Sequence, residues 1–383
     1  MTVPDFLDSE CLLTTDGEIA VINLESARRR SWNRFWENPL LDGRAETVIE
    51  HEQLTAQFVG DLTALDRLGS LVNQLIHVDA ASPRTAFIRA KVASMMHCFD
   101  DARRSLAQAE LGGMPPADIE RLRLNIDQAC GVNLDKVLER RREIASQTRQ
   151  PEDWVALGSL LADLGEFADA AHAYGQALRS NRDVSPFPVA WACFQLGVLF
   201  GELVPNPQPN LAAQWYQRAL KRLPSYAKAR VHLAQIHLSS GQARDAEELL
   251  IPLVSSGDPE VHWRLAETMA FEGKSGAELQ MQAARSGFES LLERYPLAFA
   301  DHAAEFYAGS GNDHRRALDL ARANVANRPT RRAIEQAHAI ALSAGDTEAA
   351  SEFLSMATRR RDDSTAFRPS SSAVQHLEKG AAV

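Results

Sequence analysis

The sequence predicts an all-α fold, a solenoid of paired antiparallel helices behind a small N-terminal segment of different character. Three observations predict it. Apolar residues recur at three- and four-residue steps through most of the chain, the period of a helix with one buried face. Small residues recur inside that pattern at Gly158, Gly197, Ala234, Ala266 and Ala304, with His338 at the sixth equivalent position. The steps between these positions are 39, 37, 32, 38 and 34 residues, close to the roughly 34 residues of a helix–turn–helix repeat.

Composition agrees. Hydrophobic residues make up 45% and charged residues 24% of the 383 residues, which is core-forming rather than disordered material. Purely apolar runs are only a few residues long, so no transmembrane helix is expected. The first ten residues carry Asp5, Asp8 and Glu10 and do not read as a secretory signal. Cys11, Cys98, Cys130 and Cys193 stand far apart without a C-x-x-C pair, which argues against a disulfide framework or a local zinc site and suits the cytoplasm. A net charge of −10 makes nucleic acid an unlikely partner and a basic or mixed-charge protein the expected one.

From the N-terminus, residues 1–47 form the atypical segment. Asp16–Gly17 stands between two short apolar runs, LLTT and EIAVI, the pattern of a possible β-hairpin. Next, Arg28, Arg29, Arg30 and Arg34 interleave with Trp32, Phe35 and Trp36. Two readings are open: a docking surface for an acidic partner or nucleic acid, or a cap whose aromatics cover the first helical pair while the arginines stay in solvent. Residues 48–150 read as degenerate helical repeats. They comprise a helical pair from Glu52 to Val78, a weak unit with Ala90, Ala93, Ala102, Leu106 and Ala109, and a helical stretch from Pro116 that fits the repeat poorly. His97 stands where the weak unit wants its helix-ending glycine.

Residues 151–360 carry the well-formed units. The first has Trp154, Leu157, Gly158, Leu161, Ala170, Tyr174 and Ala177, with Gly165 ending its first helix. Two short helices pack closely only if small residues sit where they cross, and Gly158, Ala170 and Ala177 are those residues. The second unit has Leu196, Gly197, Phe200, Ala212, Tyr216, Ala219 and Pro224, with a longer loop between its helices. The third has Leu233, Ala234, Gly241, Ala246 and Leu250. The fourth has Leu265, Ala266, Gly273, Phe288 and Leu291, with extra residues expected between its helices. The fifth has Ala304, Tyr307, Gly311 and Ala317, and the sixth Ala337, Ala341, Gly345, Ala350 and Leu354. Residues 361–383 are polar and Ser-rich and read as a disordered tail.

The W-x2-L-G-x2-Y … A-x3-F grammar from Trp154 to Ala177 resembles the tetratricopeptide repeat family, and the longer loop of the second unit resembles its Sel1-like variant. The resemblance implies a right-handed α-solenoid whose first helices line a concave groove that binds proteins or peptides. The groove positions of the family fall on Glu152, Val155, Ser159 and Asp163, then Trp191, Phe194, Val198 and Glu202, then Lys228, Val231, Gln235 and Ser239 with His232 at the edge. In the last three units they fall on Glu260, Trp263, Glu267 and Phe271, on Asp301 and Glu305, and on Arg332 and Glu335. The family's clamp for a terminal carboxylate needs a cationic set with Asn, and here only Lys228 is cationic near the centre. Trp191, Phe194, Trp263 and Phe271 supply apolar anchors; Glu260, Glu267, Asp301, Glu305 and Glu335 supply an acidic field. A basic peptide with large apolar residues is the expected partner.

Signatures of chemistry are missing: there is no phosphate loop, nucleophile elbow or H-E-x-x-H helix. His232 and His237 are five residues apart and point to different faces; His237 reads as a core histidine, and Cys98 and Cys193 as buried small hydrophobes within helices. No cofactor or metal is expected. The chain is therefore read as a non-catalytic scaffold or adaptor, or as an accessory subunit that presents a substrate to an enzyme, with a homodimer also open. Enzyme in its own right ranks below these.

Overall fold

The structure is a computed structural model that describes residues 13–363; among them the chain forms nineteen α-helices and no strand. An N-terminal block holds α1 (Gly17–Glu37), α2 (Arg44–Leu54, continued by a wide π-type turn, Thr55–Val59) and α3 (Ala64–Asp79). Helix pairs follow: α4 (Pro83–Met95) with α5 (Phe99–Leu111), α6 (Pro116–Ala129) with α7 (Leu134–Thr148), and α8 (Pro151–Asp163) with α9 (Phe167–Ser180). Next come α10 (Pro186–Val198) with α11 (Pro209–Arg222), α12 (Ala227–Ser239) with α13 (Ala243–Leu250), and α14 (Pro259–Phe271) with α15 (Ala277–Arg294). The array ends with α16 (Ala300–Ala308) beside α17 (His314–Asn327) and α18 (Arg331–Ser343) beside α19 (Thr347–Asp363). The disordered tail expected from 361 onward overlaps the last turn of α19; residues 364–383, like residues 1–12 with Cys11, lie outside the described residues.

The repeat grammar has a direct steric cause. A Cβ at Gly158 would stand 2.6 Å from the Tyr174 ring, and one at Gly197 2.4 Å from the Tyr216 ring, so each glycine lets the second helix of its unit press an aromatic face against the first. Proline opens many first helices, as in α4, α6, α8, α10 and α14, where its missing N–H costs nothing and its fixed φ suits the first turn. Pro186–Leu203 is long and apolar enough to cross a membrane by length and composition, but 67% of it is buried inside the solenoid. Its Phe187, Ala190, Cys193, Leu196 and Phe200 belong to the largest core cluster, shared with α8, α9 and α11.

Several expectations need correction. The N-terminal hairpin does not form: EIAVI lies inside α1, whose start is capped by the Asp16 carboxylate accepting from the N–H groups of Glu18 (2.9 Å) and Ile19 (3.1 Å). Asp-Gly here is an N-cap pair, and Gly17 is needed for close approach, because a Cβ would meet the Arg222 carbonyl at 2.4 Å. The helical pair expected from Glu52 to Val78 starts earlier, at Arg44, and breaks at Gly60, which has φ of 79°. In the fourth unit the extra residues lengthen α15 to 18 residues instead of the turn. Cys98 is half-buried at the N-cap of α5, outside the helix, whereas Cys193 is buried. His237 is half-buried near the end of α12, its Nδ1 2.9 Å from the Gln242 side-chain oxygen, and is not a core residue.

The N-terminal block also folds back along the later units. Thr15 N–H donates to the Val184 carbonyl at 2.7 Å. Ala20 and Leu24 join the core of α9–α11, and Phe58 packs its ring 5.1 Å from Phe187 and 4.8 Å from Tyr226. At the far side Asp66 binds Arg294 at 2.6 Å and accepts from the Tyr295 hydroxyl at 2.6 Å. The turn between α4 and α5 meets the last units too: His97 Nδ1 is 3.3 Å from the Leu297 carbonyl, and Asn327 donates to the His97 carbonyl at 2.9 Å. These contacts close the superhelix around its axis.

A candidate partner-binding lumen

Closure turns the concave face into a lumen of about 540 Å³. Side chains reach it from the first helices α6, α8, α10, α12, α14, α16 and α18, with Arg141 of α7 and Asn324 and Arg328 at the end of α17. Helical periodicity explains the alternation along each wall: one face of every first helix packs on its partner, so residues three or four apart look inward.

Two polar networks dominate the wall. In one, Glu202 on the wide turn after α10 lies 2.6 Å from His232 Nδ1 and 3.8 Å from Arg332, and the Tyr216 hydroxyl donates to it at 3.3 Å. Burial pushes the Glu202 carboxyl up, but hydrogen bonding and charge from His232 outweigh it and hold Glu202 below the ordinary range. Burial and the adjacent Glu202 charge push the Tyr216 phenol well above its usual value. Phe194 sets its ring edge-on to His232 at 5.2 Å and packs on Tyr226 at 5.1 Å. In the other network, Asp301 is paired with Arg328, and its neighbours His302 and Arg328 overcome burial to keep it strongly acidic. Glu260 sits 3.6 Å from His302 and 3.8 Å from Arg264.

Two carboxylates are less well compensated. Burial and then the neighbouring Glu260 charge push Asp258 up to about 6, and enclosure by protein raises Asp163, although its side chain is open to the lumen's interior. The wall also holds polar atoms without a protein partner. Arg141 is 9% exposed, bonds the Asn125 side-chain oxygen at 2.9 Å and leaves its Nε unpaired. Asn324 is 1% exposed and leaves its Nδ2 unpaired, as does Gln128 its Oε1. Buried donors and acceptors in this state favour a polar ligand that completes them.

Of the residues expected from sequence, Trp191, Phe194, Lys228, His232, Glu260, Asp301 and Glu305 all line the lumen. Glu335 lines the adjoining cleft of about 460 Å³ together with Asp163, Glu202 and Arg332. Gln235 is turned to Arg264, its amide oxygen accepting from Nε at 2.8 Å. Trp263 lies elsewhere: it is 3% exposed, packed 5.5 Å from Phe306, covered by Arg264 at 3.4 Å, and donates to Glu267 at 2.7 Å. Trp263 and Glu267 thus brace α14 against α15 and α16, and Phe271, 64% exposed, stands at the end of α14 away from the lumen wall. Sequence reasoning missed Asn125, Gln128 and Arg141, which sit in the degenerate unit where no register could be laid. It also missed Asp258 and His302, which lie within two residues of assigned positions at the starts of α14 and α16, and Arg328, which follows the second helix α17.

The N-terminal set divides as well. Phe35 is fully buried, and Trp32 stacks on Trp36 at 5.7 Å while donating to Glu52 at 2.6 Å. Glu52, itself fully buried, binds Arg67 at 2.6 Å and Arg28 at 3.2 Å. Arg29 pairs with Glu25 at 2.6 Å. Arg30 and Arg34 stay exposed beside a cleft between α1 and α2. Among the described residues no group of three or more His, Cys, Asp or Glu side chains is arranged to hold a metal ion.

Comparison with known proteins places the repeat. Residues 208–267, from α11 into α14, match the model of the tetratricopeptide repeat family. Among solved structures the chain is similar to the C-terminal part of a TPR repeat-containing protein from Cytophaga hutchinsonii, with 13% identity and a TM-score of 0.31 over 76% of this chain and 97% of that one. It is also similar to a chain of the APC/C hetero-tetramer Cut9–Hcn1, with 15% identity and a TM-score of 0.43 over 86% of this chain and 63% of that one. No curated protein matches.

Proposed function

We propose that this tetratricopeptide-repeat solenoid is a protein-binding scaffold that holds an extended segment of a partner in its lumen. Tetratricopeptide repeats in general serve protein–protein interaction and are generally non-catalytic, which supports the coarse reading. The observation that carries the finer one is the set of unsatisfied polar atoms on the lumen wall, Arg141 Nε, Asn324 Nδ2 and Gln128 Oε1. A peptide backbone supplies both carbonyls and N–H groups at short intervals, and so can satisfy donors and acceptors spread over different helices. The under-compensated carboxylates Asp163 and Asp258 favour a cationic side chain on that segment, and Trp191 with Phe194 offers it an aromatic face.

The test uses the purified full chain and a panel of fluorescent peptides that vary in basic and apolar content, read by anisotropy. Basic peptides with large apolar residues should bind best. Asp163→Asn combined with Trp191→Ala should weaken that binding at least ten-fold while the far-ultraviolet circular dichroism stays unchanged. Equal affinity in wild type and variant rejects the lumen as the binding surface.

A further inference from the structure

We infer that the cleft between α1 and α2 is an anion site that receives a phosphoryl group. It is separate from the lumen and does not depend on the reading of the lumen. The cleft encloses about 520 Å³, the size range of small-molecule sites. Its charged walls are Arg30 and Arg34 of α1 and Arg44 and His51 of α2, with Asp42 at the rim. Among the described residues Arg30 and Arg34 have no carboxylate within ion-pairing distance. Arg44 is held in place by the Arg34 carbonyl and by Glu37 at 3.4 Å, and Asp42, 98% exposed at its side chain, faces Arg84 at 3.8 Å.

A concentration of positive charge on a chain of net charge −10 is self-repelling until an anion enters. Guanidinium groups arriving from two helices present several N–H donors from different directions, which suits a tetrahedral oxyanion better than a point cation would. Gly43 starts α2 without a side-chain cap, so the positive end of that helix adds to the same field.

His51 gives the site its signature. The Ser31 hydroxyl donates its one hydrogen to the Arg28 carbonyl at 2.8 Å, so at 3.0 Å from His51 Nδ1 it can only accept. Nδ1 therefore carries a hydrogen, and Nε2 is the acceptor of the neutral ring. Burial holds His51 below its ordinary value; Glu50 and Glu52 oppose this and Arg30 reinforces it. An anion between Arg30 and His51 reverses the local field and favours a proton on Nε2, which then donates to the anion. Bound anion raises the affinity of His51 for its proton, so binding is at full strength below the free-state pKa and weakens as pH rises from there through the bound-state pKa.

Calorimetric titration of the full chain at low salt, in two buffers of different ionisation enthalpy, tests this with inorganic phosphate as the probe. O-phosphoserine, and a short phosphoserine peptide beside its unphosphorylated twin, distinguish a free phosphate ester from a protein-borne one. The expected result is saturable binding with proton uptake, weakened at least ten-fold by Arg30→Gln with Arg34→Gln and unaffected by the distant Arg104→Gln. Proton uptake should disappear in His51→Gln. Arg30 and Arg34 are exposed, so the double variant keeps its fold, as helicity will verify. Absence of saturable binding by every phosphate probe overturns the site, as does equal binding by the double variant or an equal loss in Arg104→Gln.

Discussion

His97 takes the place of the helix-ending glycine in its unit and adopts the glycine's conformation, with φ of 56°. A non-glycine residue is strained there, and the contacts it makes explain why it is kept: its ring stacks on Phe99 at 5.4 Å and its Nδ1–H donates to the Leu297 carbonyl, about two hundred residues away in the chain. Burial, and then the Arg328 charge, lower its pKa to about 4, against opposition from Asp301. Because this folded value lies below the unfolded one of about 6.5, the unfolded chain binds the proton first as pH falls. The stabilising contribution is full above about 6.5 and is lost on the way down to about 4. His97→Asn tolerates the left-handed backbone and keeps a donor for Leu297, yet does not titrate. Urea unfolding should therefore show wild type losing roughly 2 kcal/mol more than the variant between pH 6.5 and 4.5. Identical pH slopes would mean that His97 takes up its proton as readily in the folded chain as in the unfolded one.

Among elements, two helix glycines separate packing from propensity. Gly197 in α10 is closed off by the Tyr216 ring, whereas Gly69 in α3 has nothing within 4 Å of an added Cβ. Alanine improves helix propensity by about 1 kcal/mol at either place. At Gly197 that gain is outweighed by displacement of a buried ring, so Gly197→Ala should destabilise by about 1–3 kcal/mol. Gly69→Ala should stabilise by up to about 1 kcal/mol; melting temperatures that move the same way in both variants would refute the steric account. The contrast shows why the repeat was legible and the hairpin was misread. A glycine pinned by a neighbouring helix leaves a trace at a regular spacing, while Asp16–Gly17 has the same letters as a tight turn. Only the approach of α1 to the Arg222 carbonyl reveals what Gly17 is for.

For the whole molecule, closure depends on contacts between the first and last thirds of the chain. Asp66 with Arg294 and Tyr295, and Asn327 with the His97 carbonyl, tie α3 and the α4–α5 turn to the C-terminal ends of α15 and α17. Each is a partly exposed contact worth about 1 kcal/mol or less. Asp66→Ala with Asn327→Ala should therefore leave helicity nearly unchanged but let the superhelix open. Small-angle X-ray scattering should show a larger radius of gyration. An unchanged radius would locate closure in the apolar packing of Phe58 on Phe187 and Tyr226 instead. The sequence by itself determined the pairing of α8 to α19 and most of the inward-facing positions of α8 to α18, because helical period and small-residue spacing are local properties. Tertiary structure alone decided that Trp263 braces a helix junction and that α1 to α3 fold back on the array. It likewise decided that Arg141, Asn324 and Arg328 meet across one lumen. These depend on how far the superhelix turns, a sum of small rotations over every unit that no single stretch of sequence records.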